Sequence, residues 1–363
     1  KINCKGDSME NSFYPLTFEP LYKDYIWGGR NLEKLGKKLP DGIVAESWEI
    51  SCHQDGMSIV ANGIYKGQTL EKLVSDYGEK FLGTLTVARF DKRFPLLLKL
   101  IDANEWLSVQ VHPDDEYAQK HENDFGKTEM WYVLDAEPNA TIIYGLTRKM
   151  SREEFKNIID RGKISDVLKS VPVQKGDVIY IPAGTVHAAG KGILIVEVQQ
   201  NSNATYRLYD YDRKNPDGTR RPLHIDKALD TINFDAVCHT GKFNGLAYSK
   251  DGLDIRVIVA DPHFCAEIIE VKETAQLNSD ERTFTAYTFM EGEAELSWEN
   301  GKMKVKEGTS VLVPANLGKY SFTGSIKAVR AYIGDIDKDV TEPLLRAGYS
   351  RKQISGSIGG LNI

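Results

Sequence analysis

The chain has 363 residues, with 46 lysines and arginines against 52 aspartates and glutamates, which gives a formal net charge of −6. This acidic balance argues against a nucleic-acid partner, because binding to a phosphate backbone requires a basic surplus. No apolar run approaches the roughly 20 residues of a membrane helix, so a membrane partner is not expected either. The four cysteines are scattered and form no CxxC pair, which favours a reducing cytoplasm over a disulfide framework.

The first residues show no targeting signal. Residues 1–8 are polar and lack the apolar stretch of a secretory signal, and Met9 is a candidate natural start. We therefore interpret residues 1–16 as an N-terminal tail, part of it foreign to the natural chain.

Most of the chain predicts short strands. Runs of β-branched, aromatic and leucine residues alternate with turn signals at Gly, Pro, Asn and Asp. The first set covers residues 94–101, 106–111, 130–134, 141–144, 178–181 and 193–199. The second set begins after Asp235 and covers residues 255–260, 264–271, 283–290, 294–298, 302–305, 310–313 and 326–332. Many short strands at this spacing indicate an all-β sandwich or barrel.

Helices are predicted to be few, short and structural in role. Residues 69–82 carry apolar side chains at helical spacing behind Thr69, a candidate N-cap. Ser151 and Glu154 form a capping-box pattern that predicts a helix to about Asp160, with a further turn at residues 164–168. The remaining short helices are expected at residues 114–122 and 222–232.

Two stretches resemble each other. Residues 173–184 and 305–316 both read as an apolar residue, two polar residues, a glycine turn, a short strand and Pro-Ala. We interpret them as the trace of a duplicated β-domain. Two unrelated segments of the same pattern remain the alternative.

Common catalytic motifs are absent. No GxGxxG, HExxH or GxSxG occurs, and Gly126-Lys127-Thr128 is not the end of a P-loop because the required glycine five positions earlier is His121.

A set of metal-ligand residue types remains in the first β-region. Gln110 and His112 share one face of a strand end, Glu129 begins the next strong strand, and His187 follows the Pro182 turn. Two imidazoles, a carboxylate and an amide oxygen suit a divalent ion such as Zn²⁺ with an open position. Each residue alone could instead be an ordinary polar side chain. The other five histidines are interpreted as non-ligands: His53, His121, His224, His239 and His263.

At this point a family resemblance emerges. The chain resembles the type I mannose-6-phosphate isomerases in a series of ordered motifs, strongest between residues 16 and 213. These are residues 46–51 (ESWEIS), 94–103 (FPLLLKLIDA), 107–115 (LSVQVHPDD), 127–132 (KTEMWY), 181–188 (IPAGTVHA) and 197–213 (EVQQNSNATYRLYDYDR). The family usually has proline where this chain has Thr128. The length resembles the short bacterial branch.

The resemblance implies two cupin jelly rolls, one with a metal and one without, and one Zn²⁺ per chain. It implies interconversion of mannose 6-phosphate and fructose 6-phosphate by proton transfer through a cis-enediol. By the resemblance, Gln110, His112, Glu129 and His187 would hold the metal, Arg207 would be the catalytic arginine and Lys127 would lie near the metal. The chemistry of the reaction adds Glu197 as a candidate catalytic group. Candidates for binding the sugar phosphate are Ser108, Lys99, Lys127 and Trp48. The short branch is also described with two histidines and a glutamate alone, so both a set with Gln110 and a set without it stay open.

Several alternatives stay open. Glu197 and a water on the metal are rival candidates for the base, and Arg207 is either catalytic or an ion-paired strand arginine. The metal-bearing domain is expected at residues 17–235 and a second cupin at 236–363. The second cupin has Lys319 where the first has His187, and it has no histidine after Ala266. A non-haem iron oxygenase and a non-catalytic sugar-binding cupin are competing functions. We expect a monomer or a homodimer.

Overall fold

The computed structural model describes residues 13–215, 217–235 and 240–361. Residues 1–12 of the predicted tail, and the predicted domain boundary after Asp235, lie outside these ranges or at their edge, as do Cys238 and His239. The described residues form 21 strands and eight α-helices of four to nine residues. This confirms the all-β expectation with a few short helices. No helix in these ranges is long and apolar enough to cross a membrane.

The strands up to residue 209 are β1 (Leu21–Lys23), β2 (Glu46–Ile50), β3 (Cys52–His53), β4 (Gly56–Met57), β5 (Leu96–Ala103), β6 (Val109–Val111), β7 (Glu129–Ala136), β8 (Thr141–Leu146), β9 (Leu168–Pro172), β10 (Val178–Ile181), β11 (His187–Ala189), β12 (Ile193–Gln200) and β13 (Tyr206–Tyr209). The later strands are β14 (Leu246–Lys250), β15 (Leu253–Ala260), β16 (Cys265–Val271), β17 (Thr274–Asn278), β18 (Thr285–Trp298), β19 (Gly301–Lys306), β20 (Ser310–Val313) and β21 (Lys319–Tyr332).

The α-helices are α1 (Leu70–Tyr77), α2 (Glu79–Leu82), α3 (Thr84–Phe90), α4 (Asp115–Glu122), α5 (Arg152–Asp160), α6 (Ile225–Thr231), α7 (Glu342–Arg346) and α8 (Arg351–Ser357). Short 3₁₀ segments cover Asn31–Leu35 and Ile164–Val167, and a π-helical turn covers Ile336–Thr341.

Three antiparallel sheets organise the fold. Sheet I has the strand order β1-β2-β5-β12-β7-β10, and sheet II has the order β13-β6-β11-β8-β9. Sheet III has the order β14-β15-β16-β21-β18-β19, with β17 paired to β21 and β20 paired to β18. We call sheets I and II the first unit and sheet III the second unit.

Sheet I is buried on both faces. Along β5, Leu98 and Leu100 pack in a core shared with sheet III, whereas Ile101 and Ala103 pack in a core shared with sheet II. Successive side chains of a strand point to opposite faces, and both faces of sheet I are buried. The side chains on each face must therefore be apolar or, if charged, paired with another group. This explains why the sequence of β5 reads as a continuous apolar run interrupted only by Lys99 and Asp102.

Two predicted elements differ from the structure at or beside a glycine. The helix predicted over residues 69–82 ends at Tyr77, because Gly78 adopts φ +49° and starts a separate turn. The two strands predicted at 283–290 and 294–298 are one strand, β18, which bends at a bulge beside Gly292 (φ +80°). The predicted N-caps are present: Thr69 accepts from the backbone N–H of Lys72, and Ser151 accepts from that of Glu154. The carboxylate of Glu154 pairs with Arg148, so the structure shows only the Ser151 half of the predicted capping box. Helices α3, α7 and α8 were not predicted.

The two similar stretches occupy equivalent turns. Gly176 donates its N–H to Val133, and Val133 donates to Asp177. In the later stretch, Gly308 donates to Phe289, and Phe289 donates to Thr309. The following strands, β10 and β20, both pair antiparallel with the strand that contributes this partner. The sequence similarity therefore reflects one local structure used twice.

The two units are joined by a charged bridge. His263, in the loop before β16, lies 3.0 Å from Asp115 of α4 and 2.5 Å from Asp261. Tyr180 of sheet I donates to the same Asp261 at 2.7 Å. Burial disfavours the imidazolium, but the hydrogen bonds to Asp115 and Asp261 outweigh it and raise the pKa of His263 to about 9.

This bridge predicts a loss of stability at alkaline pH. The folded pKa of His263 lies above the unfolded value of about 6.5, so the stabilisation is complete below that pH and is lost as pH rises through about 9. We expect His263→Gln to lower the free energy of unfolding by roughly 2–3 kcal/mol at pH 6 and by little at pH 10. Urea unfolding across this pH range measures the difference. His121→Gln, a partly stacked histidine on α4, serves as control, and a difference that does not vary with pH would contradict the assignment.

Candidate metal centre and adjoining cavity

Two imidazoles and one carboxylate converge inside the first unit. His112 follows β6, Glu129 begins β7 and His187 begins β11. His187 Nε2 lies 3.1 Å from one oxygen of Glu129, and His112 Nε2 lies 3.4 Å from the other. All three residues are buried, with their ligand atoms within 4.8 Å of one another. The described part of the chain contains one such group of His, Cys, Asp and Glu side chains.

The hydrogen bonds of this group fit a divalent metal. His112 Nδ1 donates to the carbonyl of Ala204, and His187 Nδ1 donates to that of Thr185, both at 2.9 Å. A carbonyl can only accept, so each Nδ1 carries a proton, and in a neutral imidazole the lone pair is then on the Nε2 that faces the cluster. Both oxygens of Glu129 are buried without a hydrogen bond of good geometry. Two lone pairs and an unsatisfied carboxylate facing one point are the donor set that Zn²⁺ binds.

Lys127 adds a positive charge to the group. Its Nζ lies 3.1 Å from Glu129 and 3.0 Å from His112 Nε2. Burial raises the pKa of Glu129, but Lys127 and His112 outweigh it and hold this pKa well below the usual range. Burial and then Lys127 lower the pKa of His112 well below 6.5. Glu129 is therefore ionised and His112 neutral, the states that metal binding requires.

Gln110 lies beside the group as predicted from the strand alternation. It pairs with His187 across β6 and β11, and its amide nitrogen is 3.5 Å from His187 Nε2. The amide oxygen and nitrogen can exchange places by a rotation of the side chain. Its role as a ligand stays a prediction.

A cavity of about 260 Å³ adjoins the metal group. Lys127 and Gln110 line it, and so do four further residues that the sequence motifs single out: Lys99, Ser108, Glu197 and Arg207. Sheet I supplies Lys99 and Glu197, and sheet II supplies Arg207. Residues that are separated by about 110 positions in the sequence thus meet at one opening.

Lys99 and Glu197 form a buried ion pair across β5 and β12. Their charged atoms are 3.1 Å apart, and Glu46 lies 3.5 Å from the same ammonium group. Burial opposes the charge of Lys99, but the carboxylates of Glu197, Glu46 and Glu129 raise its pKa. Burial raises the pKa of Glu197 despite Lys99, and the charge of Glu129 adds to this rise. Trp131 donates its indole N–H to Glu197 at 2.8 Å, which holds this carboxyl in place.

Arg207 is held without an ion pair. Its Nε donates to Ser108 Oγ at 3.2 Å, and one terminal nitrogen donates to the carbonyl of Pro222 at 2.8 Å. Among the described residues, no carboxylate oxygen lies within 4.0 Å of its guanidinium, which argues against the strand ion-pair alternative. Burial, and then the neighbouring Arg221, lower its pKa. Two guanidinium groups therefore stand at one wall of the cavity.

Trp48 does not line the cavity. It is buried, donates its indole N–H to Glu46 at 2.7 Å and packs under Lys99, whose Nζ is 5.1 Å from the ring centre. Its position thus supports the charged wall and not a direct substrate contact. Thr128 uses groups that a proline would lack: its N–H donates to Gln200 and its hydroxyl accepts from Ala183.

The sequence reasoning missed several cavity residues. Tyr25, Trp27, Glu46, Trp131, Asn203, Thr205 and Arg221 also line it. Glu46, Trp131, Asn203 and Thr205 fall inside the quoted motifs, so their motif membership was a signal. Arg221 comes from a loop, where the pair Arg220-Arg221 was the only hint.

Fold and site together define a two-unit β-protein with a buried metal-ligand cluster beside a cationic cavity. Comparisons with known proteins agree. Residues 16–147 match the family model "Phosphomannose isomerase type I, catalytic domain", and residues 255–333 match "Mannose-6-phosphate isomerase, cupin domain". The second unit is thus of the cupin class, as the sequence predicted.

Full-length relatives extend these matches. The chain is 38% identical to mannose-6-phosphate isomerase ManA of Bacillus subtilis over 322 residues, which cover 88% of this chain and 99% of that protein. It is 35% identical to mannose-6-phosphate isomerase of Streptococcus mutans, over 88% and 98% of the two chains. The crystal structure of the mannose 6-phosphate isomerase from Bacillus subtilis superimposes with a TM-score of 0.81 at 36% identity, covering 88% of this chain and 99% of that one. The chain belongs to the type I mannose-6-phosphate isomerase family.

Removing the carboxylate charge of the cluster should remove the metal. We expect Glu129→Gln to lower metal content to below about one-tenth of wild type after dialysis, because an anionic ligand is replaced by a neutral one. Elemental analysis of purified protein measures this. Glu154→Gln, on the exposed side of α5, is the matched control. Metal retained at wild-type level by Glu129→Gln would show that the ion is held elsewhere.

Proposed function

We propose that this protein is a zinc-dependent isomerase that interconverts mannose 6-phosphate and fructose 6-phosphate, with one Zn²⁺ per chain. The observation that carries the proposal is the buried His112–Glu129–His187 cluster beside a cavity with lysine and arginine walls. The named activity of relatives up to 38% identical along most of the chain supports the substrate. The proposed division is a metal-bearing unit at residues 17–235 and a second cupin unit at 236–363.

The protein supplies the metal with a prepared set of ligands. His112, His187 and Glu129 would hold it, with Gln110 as a proposed fourth ligand. When bound, a divalent ion here supplies electrophilic polarisation of a substrate oxygen. The backbone carbonyls behind both imidazoles fix their orientation, so little rearrangement is needed on binding.

The isomerisation moves one proton between C1 and C2 and passes through a cis-enediol. We propose Glu197 as the group that exchanges this proton. Burial raises the pKa of Glu197 toward neutral pH. A carboxyl group with such a pKa both accepts and returns a proton efficiently. Lys99 holds one of its oxygens and Trp131 the other, which keeps the carboxyl group oriented into the cavity.

Cationic groups would balance the negative charge of the reaction. We propose that Lys127 and Arg207 stabilise the developing enediolate, since fixed charges in a water-poor cavity act more strongly than in solution. Ser108, which accepts a hydrogen bond from Arg207, and Lys99 are the proposed contacts to the sugar phosphate. Arg221 stands at the same wall, where its Nε and one terminal nitrogen bond to Asp210. Its other terminal nitrogen is a further candidate for contact with the phosphate.

Competing functions have less support. The same three ligands occur in non-haem iron oxygenases, but such an enzyme needs no arginine wall for a phosphate. A sugar-binding protein without turnover would not need the ordered Glu197. The cysteines Cys52 and Cys265 are free, and burial raises the pKa of Cys52 to about 12, which makes it a poor nucleophile and fits the proposed cytoplasmic location.

The decisive test is a coupled assay that detects fructose 6-phosphate formed from mannose 6-phosphate. We expect chelated protein to lose activity and one equivalent of Zn²⁺ to restore it, because the ligand set is preformed. Arg207→Ala should keep its metal yet lose roughly 100-fold or more in kcat. Arg220→Ala, the exposed neighbour of Arg221, is the control. Failure of zinc, iron and manganese alike to give activity would refute the proposal.

The role of Glu197 predicts a feature of the pH profile. If Glu197 accepts the proton, activity must rise with pH as this carboxyl ionises, and its raised pKa moves that rise above the usual carboxyl range near 4.5. We expect Glu197→Gln to lose this limb together with most of kcat. Glu46→Gln, which removes the other carboxylate next to Lys99, should keep the limb. The same limb in both variants would exclude Glu197 as the base.

A further inference from the structure

The second unit contains a cavity of its own. Its volume is about 510 Å³, larger than the cavity beside the metal group, and the two share no lining residue. Strands β14, β16, β17, β18 and β21 supply most of its wall, and α7 and the preceding π-helical turn close one side. A volume of this size is typical of a site for a small molecule.

Strand register relates this cavity to the metal-bearing site. In the repeated stretches, Ile181 corresponds to Val313, and these residues pair with Glu129 and Thr285 respectively. Thr285 therefore stands where the first unit has its metal-binding carboxylate, and it lines the second cavity. The second cavity is the counterpart of the catalytic one, with a neutral hydroxyl group in place of the key anion.

The central ion pair is present in both units with its charges reversed. In the first unit, Lys99 on β5 pairs with Glu197 on β12. At the matching register of the second unit, Glu267 on β16 pairs with Arg330 on β21, with Nε 2.7 Å from the carboxylate. In the first unit the positive charge lies on β5, whereas in the second unit it lies on β21, the counterpart of β12. The cavity floor thus presents a guanidinium group where the catalytic site presents a carboxylate.

This reversal suits direct binding of an anion. The described residues of the second unit contain no cluster of metal-ligand side chains, so no cation would mediate the contact. Three long cationic side chains stand at the rim with their ends exposed, and each has a carboxylate neighbour outside the lining. Lys250 lies 3.9 Å from Asp251, Lys338 3.9 Å from Asp335 and Arg346 3.1 Å from Glu342. With Arg330 they make four cations against three carboxylates in the lining, in a chain whose net charge is −6.

The rest of the lining suits a hydroxylated ligand. Tyr248, Tyr320 and Tyr332 contribute aromatic side chains, and Asn278 contributes a neutral amide. The hydroxyl groups of Tyr320, Tyr332 and Thr283 already bond to Tyr287, Glu267 and Phe284. Aromatic rings pack against the C–H faces of a carbohydrate, and short polar groups bond its hydroxyls. A free inorganic anion would leave most of this volume unfilled.

We propose that the second unit binds a small polyhydroxylated phosphate monoester, of about hexose size, in this cavity and without a metal ion. The rim cations contact the phosphate, and the tyrosine-lined interior contacts the carbon chain. This site is separate from the proposed isomerase site and does not depend on turnover there.

Calorimetric titration of the metal-loaded full chain with mannitol 6-phosphate tests the proposal. This polyol phosphate has no carbonyl group, so the isomerase cannot convert it. We expect two binding events per chain. The rim variant Lys250→Glu/Lys338→Glu/Arg346→Glu should weaken one event by at least about tenfold, because attraction becomes repulsion. A single event that Arg207→Ala weakens and the rim variant leaves unchanged would overturn the proposal.

Controls separate this site from the catalytic one. Lys302→Glu/Lys304→Glu/Lys306→Glu changes the same number of exposed charges on β19, away from the cavity, and should keep both events. Arg207→Ala should weaken only the event at the isomerase site. The rim variant should keep its melting temperature and its isomerase activity, since the changed side chains are exposed. A second event that survives the rim variant unchanged would refute the assigned location.

Two further ligands separate the sources of the signal. Inorganic phosphate should bind the second site at least about tenfold more weakly than the polyol phosphate, because it leaves the tyrosine-lined interior unfilled. Unphosphorylated mannitol should bind too weakly to measure. Equal affinity for inorganic phosphate would overturn the carbohydrate part of the proposal, and equal affinity for mannitol would overturn the role of the rim.

Discussion

The balance of charge inside the first unit is the constraint on which the site depends. Glu46, Glu129 and Glu197 are all buried, and an isolated buried carboxylate is strongly unfavourable. Lys99 and Lys127 offset two of these three charges at distances near 3.1 Å. The third carboxylate, Glu46, shares the ammonium group of Lys99 at 3.5 Å. Glu129, although paired with Lys127, lies where two imidazoles also converge. A divalent cation is the natural complement of that arrangement, and the charge that it brings in excess suits a dianionic phosphate substrate.

The double burial of sheet I keeps these charges in position. One face packs against sheet III and the other against sheet II, so β5 and β12 cannot shift without disturbing two cores. The alternation of a strand then directs Lys99 and Glu197 to the face toward sheet II, while Leu98 and Val198 serve the shared core. The second unit therefore packs against the face of sheet I that lies opposite the cavity. The His263 bridge to Asp115 ties the same two units together at their edge.

The two units show how one framework takes on different chemistry. The glycine turn before β10 and β20 keeps its hydrogen bonds in both, since they depend on backbone atoms. The side chains that face the interior have changed at the same register. Glu129 corresponds to Thr285, and the pair Lys99–Glu197 corresponds to Glu267–Arg330. Conserving the number of paired charges while reversing their order keeps the charges of both buried pairs compensated.

The sequence by itself determined the class of fold, most strand positions and the residues of the metal group. Short apolar runs between turn residues mark strands because their signal is local, and strands 178–181 and 310–313 agree with the structure to the residue. The resemblance in ordered motifs singled out His112, Glu129 and His187, although their spacing of 17 and 58 residues forms no local pattern. The break at Gly78 was missed, because apolar spacing records a helical face and not the backbone angle of a single glycine.

Tertiary structure alone decided which side chains meet. Trp48 shares a motif with Glu46, yet only Glu46 lines the cavity. The two residues lie two positions apart on β2, but Trp48 packs beneath Lys99 and donates its indole N–H to Glu46. Arg221 enters from a loop, and the reversed ion pair of the second unit appears only when β16 and β21 are aligned. Register and sheet order depend on contacts between distant segments. A sequence pattern can identify these residues, whereas their proximity arises only when the sheets pack.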